Sequence, residues 1–102
     1  MPYKLSYLPL FWDDLNEAVS YIARVLGNVR AAEDLIDKTE AAILGRLEDP
    51  CGGAVYHGRK ARSDQHYWIA VGNYMAFYVV KGEVMEVRRF LYGARDLTRM
   101  PL

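Results

Sequence analysis

The chain has a single cysteine, Cys51, which rules out an internal disulfide framework and fits a reducing compartment. Histidine is nearly as scarce. Cys51, His57 and His66 show no paired ligand spacing, so neither a metal site nor a cofactor is expected. A Cys–His nucleophile pair would also need a third orienting group, and no such group stands at a recognisable spacing. Long apolar runs are missing too. None approaches the roughly 20 residues that cross a bilayer, and Asp13, Asp14 and Glu17 interrupt the apolar opening where a leader would need continuity. These absences predict a soluble, cytoplasmic protein with no membrane partner.

What is present is ordinary globular material. With 102 residues, 52% hydrophobic and 25% charged, the chain can bury one core, so a single domain over residues 1–102 is expected. The zero net charge conceals a split. Residues 1–50 carry five Lys/Arg against nine Asp/Glu, and residues 51–102 carry eight against four. A basic second half suits a polyanion or an acidic partner, although like charges also serve simply to solvate a surface.

Periodicity changes along the chain. Tyr3 to Leu8 alternates as a short strand that Pro9 ends. Leu15, Val19, Ile22 and Leu26, widened by Ala18 and Val25, mark a helix from Pro9 to Leu26, with Asp13 and Asp14 placed early where the helix dipole favours acids. Gly27-Asn28 stops that helix and caps a second from about Val29 to Leu47, whose buried face is Ala32, Leu35, Ile36, Thr39, Ala42, Ile43 and Leu47. Residues 54–65 are polar and without clear period. His66 to Val71, Tyr74 to Val80 and Val84 to Tyr92 are rich in aromatic and β-branched residues, separated by Gly72-Asn73 and Lys81-Gly82-Glu83 turns. Tyr74, Phe77, Tyr78 and Phe90 are assigned to the core. The expected fold is α+β in the order β-α-α-β-β-β, a helical hairpin packed on a small curved antiparallel sheet.

Several stretches carry a further pattern. Tyr3-Lys4-Leu5-Ser6 is followed by Asp14-Leu15-Asn16-Glu17-Ala18-Val19-Ser20-Tyr21, and Ala31-Ala32, Leu35 and Ala42-Ile43 by Pro50-Cys51-Gly52-Gly53. The last strand reads Val87-Arg88-Arg89-Phe90-Leu91-Tyr92-Gly93-Ala94-Arg95-Asp96. Taken in order, these resemble the RelE/ParE superfamily of toxins from bacterial type II toxin–antitoxin systems. Tyr92 stands where the family's closing motif usually has His.

The resemblance implies one of two activities. RelE-like members are ribosome-dependent messenger RNA endonucleases, whereas ParE-like members poison DNA gyrase. Both are neutralised by a cognate antitoxin, so a toxin–antitoxin heterotetramer or a toxin homodimer is the implied assembly. A degenerate homologue that binds antitoxin without being toxic is a third alternative.

Metal-free RNA cleavage must deprotonate a 2′-hydroxyl, stabilise the phosphorane and protonate the leaving oxygen. Carried over by resemblance, the Arg after the last strand is Arg95 and the last-strand Arg is Arg89. Tyr92 can stack on a base and His66 can exchange a proton. The middle-strand Arg, however, falls at Met75, and the two preceding Lys fall near His66 and Trp68. These departures favour the ParE-like branch. For target or antitoxin contact the candidates are the Arg59, Lys60 and Arg62 cluster beside His57, Arg88 on the last strand, and Trp12 on the first helix. Adjacent strand positions point Arg88 and Arg89 to opposite faces.

Overall fold

The computed structural model describes residues 2–56 and 64–93. Strand β1 (Lys4–Tyr7) runs directly into α1 (Pro9–Ser20), because Pro9 at the first helical position has no N–H to contribute to a strand ladder. Phe11, Leu15 and Ala18 form its buried stripe. The α-helical period ends earlier than expected. Tyr21–Val25 wind as a π-helical turn, closed by the Leu26 N–H donating to the Tyr21 carbonyl at 3.1 Å.

One residue more per turn rotates the next side chains by roughly 100° around the helix axis. Val25 and Leu26, expected in the buried stripe, consequently lie 68% and 59% exposed. Gly27, at φ 65°, reverses the chain, and the Asn28 side chain caps α2 (Val29–Arg46) by accepting the Ala31 N–H at 3.0 Å. Helix α2 buries Ala32, Leu35, Thr39 and Ile43, while Ile36, expected inside, is exposed. The Thr39 hydroxyl is satisfied within the helix, donating to the Leu35 carbonyl at 2.7 Å.

The sheet has five strands ordered β1-β5-β4-β3-β2, adding β2 (Ala54–Val55), β3 (Tyr67–Val71), β4 (Tyr74–Lys81) and β5 (Val84–Tyr92). It differs from the expected sheet in two respects. Ala54–Val55, in a stretch without period, pairs with β3. In addition, β1 lies parallel to β5, so the sheet is mixed rather than wholly antiparallel. Alternation in β1 encodes which side chains face the core but not the direction of its partner. The β3–β4 and β4–β5 hairpins are as expected, with two-residue loops whose first residues, Gly72 and Gly82, take positive φ.

Both helices cover one face of the sheet. There Ile69, Val71, Ala76, Tyr78, Met85, Val87 and Phe90 join Phe11, Leu15, Leu35 and Ile43 in the core. Tyr74, assigned to the core from sequence, is only half-buried. On the opposite face Phe77, Val79 and Leu91 are buried, with the Tyr56 ring edge-on to Phe77 at 5.2 Å.

Tyr78 ties the layers together. Its ring stacks on Tyr67, its hydroxyl donates to the Pro50 carbonyl at 2.6 Å, and the same hydroxyl accepts from the Arg46 guanidinium at 3.2 Å. The chain passes this cluster at Gly53, where an added Cβ would collide with the Arg46 guanidinium and the Tyr78 hydroxyl. Urea denaturation should therefore show Tyr78→Phe losing about 1–3 kcal/mol. Tyr67→Phe, which removes only an exposed bond from Gln65, should stay within about 0.5 kcal/mol.

Burial is the main cause that pushes the Tyr78 hydroxyl above its usual 10.0, against the lowering effect of Arg46. Burial raises Tyr7 and Tyr74 as well. The folded chain thus holds these protons more tightly than the unfolded one. Stability from this source should be flat below pH 10 and decline above it, as the unfolded tyrosines ionise first. Melting temperatures from pH 7 to 11 check the sign.

Candidate functional site

Strand β1 ends at Tyr7, opposite Val87, so the last residues of β5 have no strand on that side. The Leu8 N–H makes the final backbone bond there, to the Val87 carbonyl at 2.9 Å. Asp14 of α1 takes over beyond it. One carboxylate oxygen accepts from Arg89 Nε at 2.7 Å and from the Phe90 N–H at 3.0 Å, and the other accepts from Arg89 Nη2 at 3.0 Å. Each side chain of the pair is only 10% exposed. The hydrogen bond to Asp14 is the main cause holding the Arg89 guanidinium above its ordinary pKa, with burial opposing and the Asp14 charge reinforcing. Asp14 therefore anchors α1 to β5, a different use from the dipole role expected of it; no acid lies in the first turn of α1.

Arg88 is the extra residue of a β-bulge, since Val87 faces Tyr78 and Arg89 faces Phe77. Its guanidinium pairs with Glu86 at 2.8 Å and Asp64 at 3.3 Å, and Lys81 reaches the same Asp64 at 3.7 Å. Arg88 and Arg89 thus engage different partners, but the bulge breaks the simple alternation from which opposite faces were expected. Both are committed to carboxylates of this chain. Met75 faces Leu91 and Trp68 faces Phe77, so apolar pairs flank Arg89 across the strands.

The other proposed site residues do not converge. His66 is buried, and because the Asp64 carbonyl 3.1 Å away can only accept, Nδ1 carries the proton of that bond. Tyr92 is half-exposed and edge-on to Tyr74 at 5.5 Å. Tyr74 faces Tyr92, whereas Tyr78, four residues further along β4, faces Tyr67 beside His66. That offset amounts to about 13 Å along the strand. Trp12 is 45% exposed, against Tyr7 at 4.7 Å and Phe11 at 5.2 Å. Arg59, Lys60, Arg62 and Arg95 lie outside the described residues.

Sequence reasoning missed an open groove of about 760 Å³ between the π turn and the ends of β4 and β5. Ala18, Ile22 and Phe90 contribute apolar surface to it, Tyr21, Leu26, Tyr74 and Tyr92 line it further, and Glu17 joins Asp14 as an acid in its lining. Its only signal in the sequence was an apolar stripe running past the point where helix α1 could bury it.

The family description "ParE toxin of type II toxin-antitoxin system, parDE" matches residues 5–97. The chain belongs to the ParE toxin family. Among solved structures it is similar to a chain of the chromosomal ParDE toxin–antitoxin system from P. aeruginosa. That match has 16% identity over 89% of this chain and 96% of that one, with a TM-score of 0.72. An archaeal RelE–RelB complex from Pyrococcus horikoshii OT3 aligns at 16% identity over 93% and 99% of the two chains, with a TM-score of 0.43. No curated protein matches the sequence. Among the described residues of this ParE family member, no helix is long and apolar enough to cross a membrane.

The ion pairs of the two β5 arginines should respond very differently to truncation. Asp14→Ala leaves Arg89 buried without its partner and should cost about 3–5 kcal/mol. Arg88→Ala breaks a pair nearer the surface and should cost about 1 kcal/mol or less. Chemical denaturation of both variants measures the contrast.

Proposed function

We propose that this ParE family toxin arrests growth by occupying a surface of a macromolecular target in the cytoplasm, DNA gyrase by family analogy. We further propose that an antitoxin encoded beside it silences it. The observation that carries this reading is the fate of the cations on β5. A nuclease needs guanidinium or ammonium groups free to meet a phosphorane, and Arg89 is buried in a bidentate bond to Asp14. Arg88 is likewise held by Glu86 and Asp64, while by family resemblance Met75 stands where endonucleases of the superfamily carry an Arg, and their two Lys fall near His66 and Trp68. A surface-binding toxin needs none of these groups to be free.

Inducible expression in a bacterial host, with pulse labelling of DNA and protein synthesis, tests the proposal. The expected result is loss of DNA synthesis while protein synthesis initially continues. Rapid loss of protein synthesis with cleaved messenger RNA would overturn it in favour of an endonuclease that relies on Arg95. Unimpaired growth would instead identify a non-toxic homologue.

A further inference from the structure

The groove beside the π turn combines features that select one kind of occupant. Its charged lining residues are Asp14 and Glu17, and no Lys or Arg is among those that line it. Asp14 is consumed by Arg89 and Phe90. Glu17 is exposed and makes no ion pair among the described residues. Three tyrosines surround the same opening. Tyr74 stacks on Phe90 at 5.0 Å and meets Tyr92 edge-on, and Tyr21 stands half-exposed beside them. The hydroxyls are near enough that Tyr92 and Tyr21 add to the effect of burial in raising Tyr74.

Aromatic faces carry negative potential, and a carboxylate at their rim reinforces it, so the opening favours a cation. The remaining walls, Ile22, Leu26 and Ala18, favour aliphatic groups. A nucleic acid is disfavoured because its phosphates would approach carboxylates with no compensating base. A second copy packed groove to groove is disfavoured as well, since each lining would bring carboxylates and no Lys or Arg to meet them.

We propose that this groove seats a Lys or Arg side chain set within an apolar stripe, presented by a helical segment of the antitoxin. The cation lies over the tyrosine rings with Glu17 as its counter-ion, and flanking leucine-type residues cover Ile22 and Leu26. This rests on the toxin–antitoxin reading above and adds to it the chemistry by which the partner is chosen. The π turn gains a purpose here, because it swings Leu26 out of the core and to the groove.

The test uses the full chain with the protein encoded in the neighbouring reading frame, and titration calorimetry of the complex. Glu17→Lys and Tyr92→Ala should each weaken binding about tenfold or more, with unchanged melting temperatures. Lys81→Glu, on the opposite face, should leave affinity unaltered. An antitoxin Arg or Lys changed to Glu should recover affinity toward Glu17→Lys. Unchanged affinity in both groove variants would overturn the proposal while leaving the toxin–antitoxin reading intact. Failure of the wild-type chain to bind the neighbouring protein would overturn that reading instead. A synthetic helical peptide carrying leucines four apart and one arginine between them then tests the groove. Equal binding of its citrulline counterpart would overturn the cation claim, and clear preference for arginine would sustain it.

Discussion

The carboxylate of Asp14 holds the architecture at its weakest point, where a five-stranded sheet loses a strand partway along β5. Strand β1 is four residues long and pairs only with the first part of β5. Without a substitute, the Phe90 N–H would face the helix layer with no acceptor, an expensive arrangement in a buried setting. Asp14 supplies the acceptor and Arg89 neutralises the charge that this brings inside. Once α1 is fixed this way, Phe11, Leu15 and Ala18 are set against Val87 and Phe90, and the π turn is carried out to the end of the sheet beside Tyr74 and Tyr92.

The same bond is what the proposed function rests on. Arginine is valuable in phosphoryl chemistry because its planar fork meets two oxygens at once. Here the fork meets Asp14. The bulge at Arg88 places the neighbouring guanidinium away from that bond, between Glu86 and Asp64. The described surface carries an acidic, tyrosine-lined groove on the helical side and a cluster of mutually compensating ion pairs on the other face.

Much of this was legible in the residues. Period-3.6 stripes found both helices, Asn28 announced its own cap, and Gly72 and Gly82 fixed two hairpins, because each of these signals is local. The parallel pairing of β1, the bulge and the two-residue β2 were not legible, since they depend on where a distant edge falls. The π turn was misread for a similar reason: Val25 and Leu26 fit the apolar stripe by spacing, and only the i+5 bond from Leu26 to Tyr21 rotates them out. Arg89 was read as the family's last-strand arginine and a catalytic candidate; its partner lies 75 residues away, and neighbouring residues gave no hint of it. The groove escaped because its walls come from four separate elements, α1, the π turn, β4 and β5.

The most direct measurement is a double-mutant cycle on Asp14→Asn and Arg89→Met, read by denaturant unfolding. If the pair anchors α1 to β5, the single changes are each costly and the double change recovers much of the loss, with a coupling of about 2–3 kcal/mol. Additive single costs, with coupling under about 0.5 kcal/mol, would mean that the two side chains act independently and that Arg89 is available for another role.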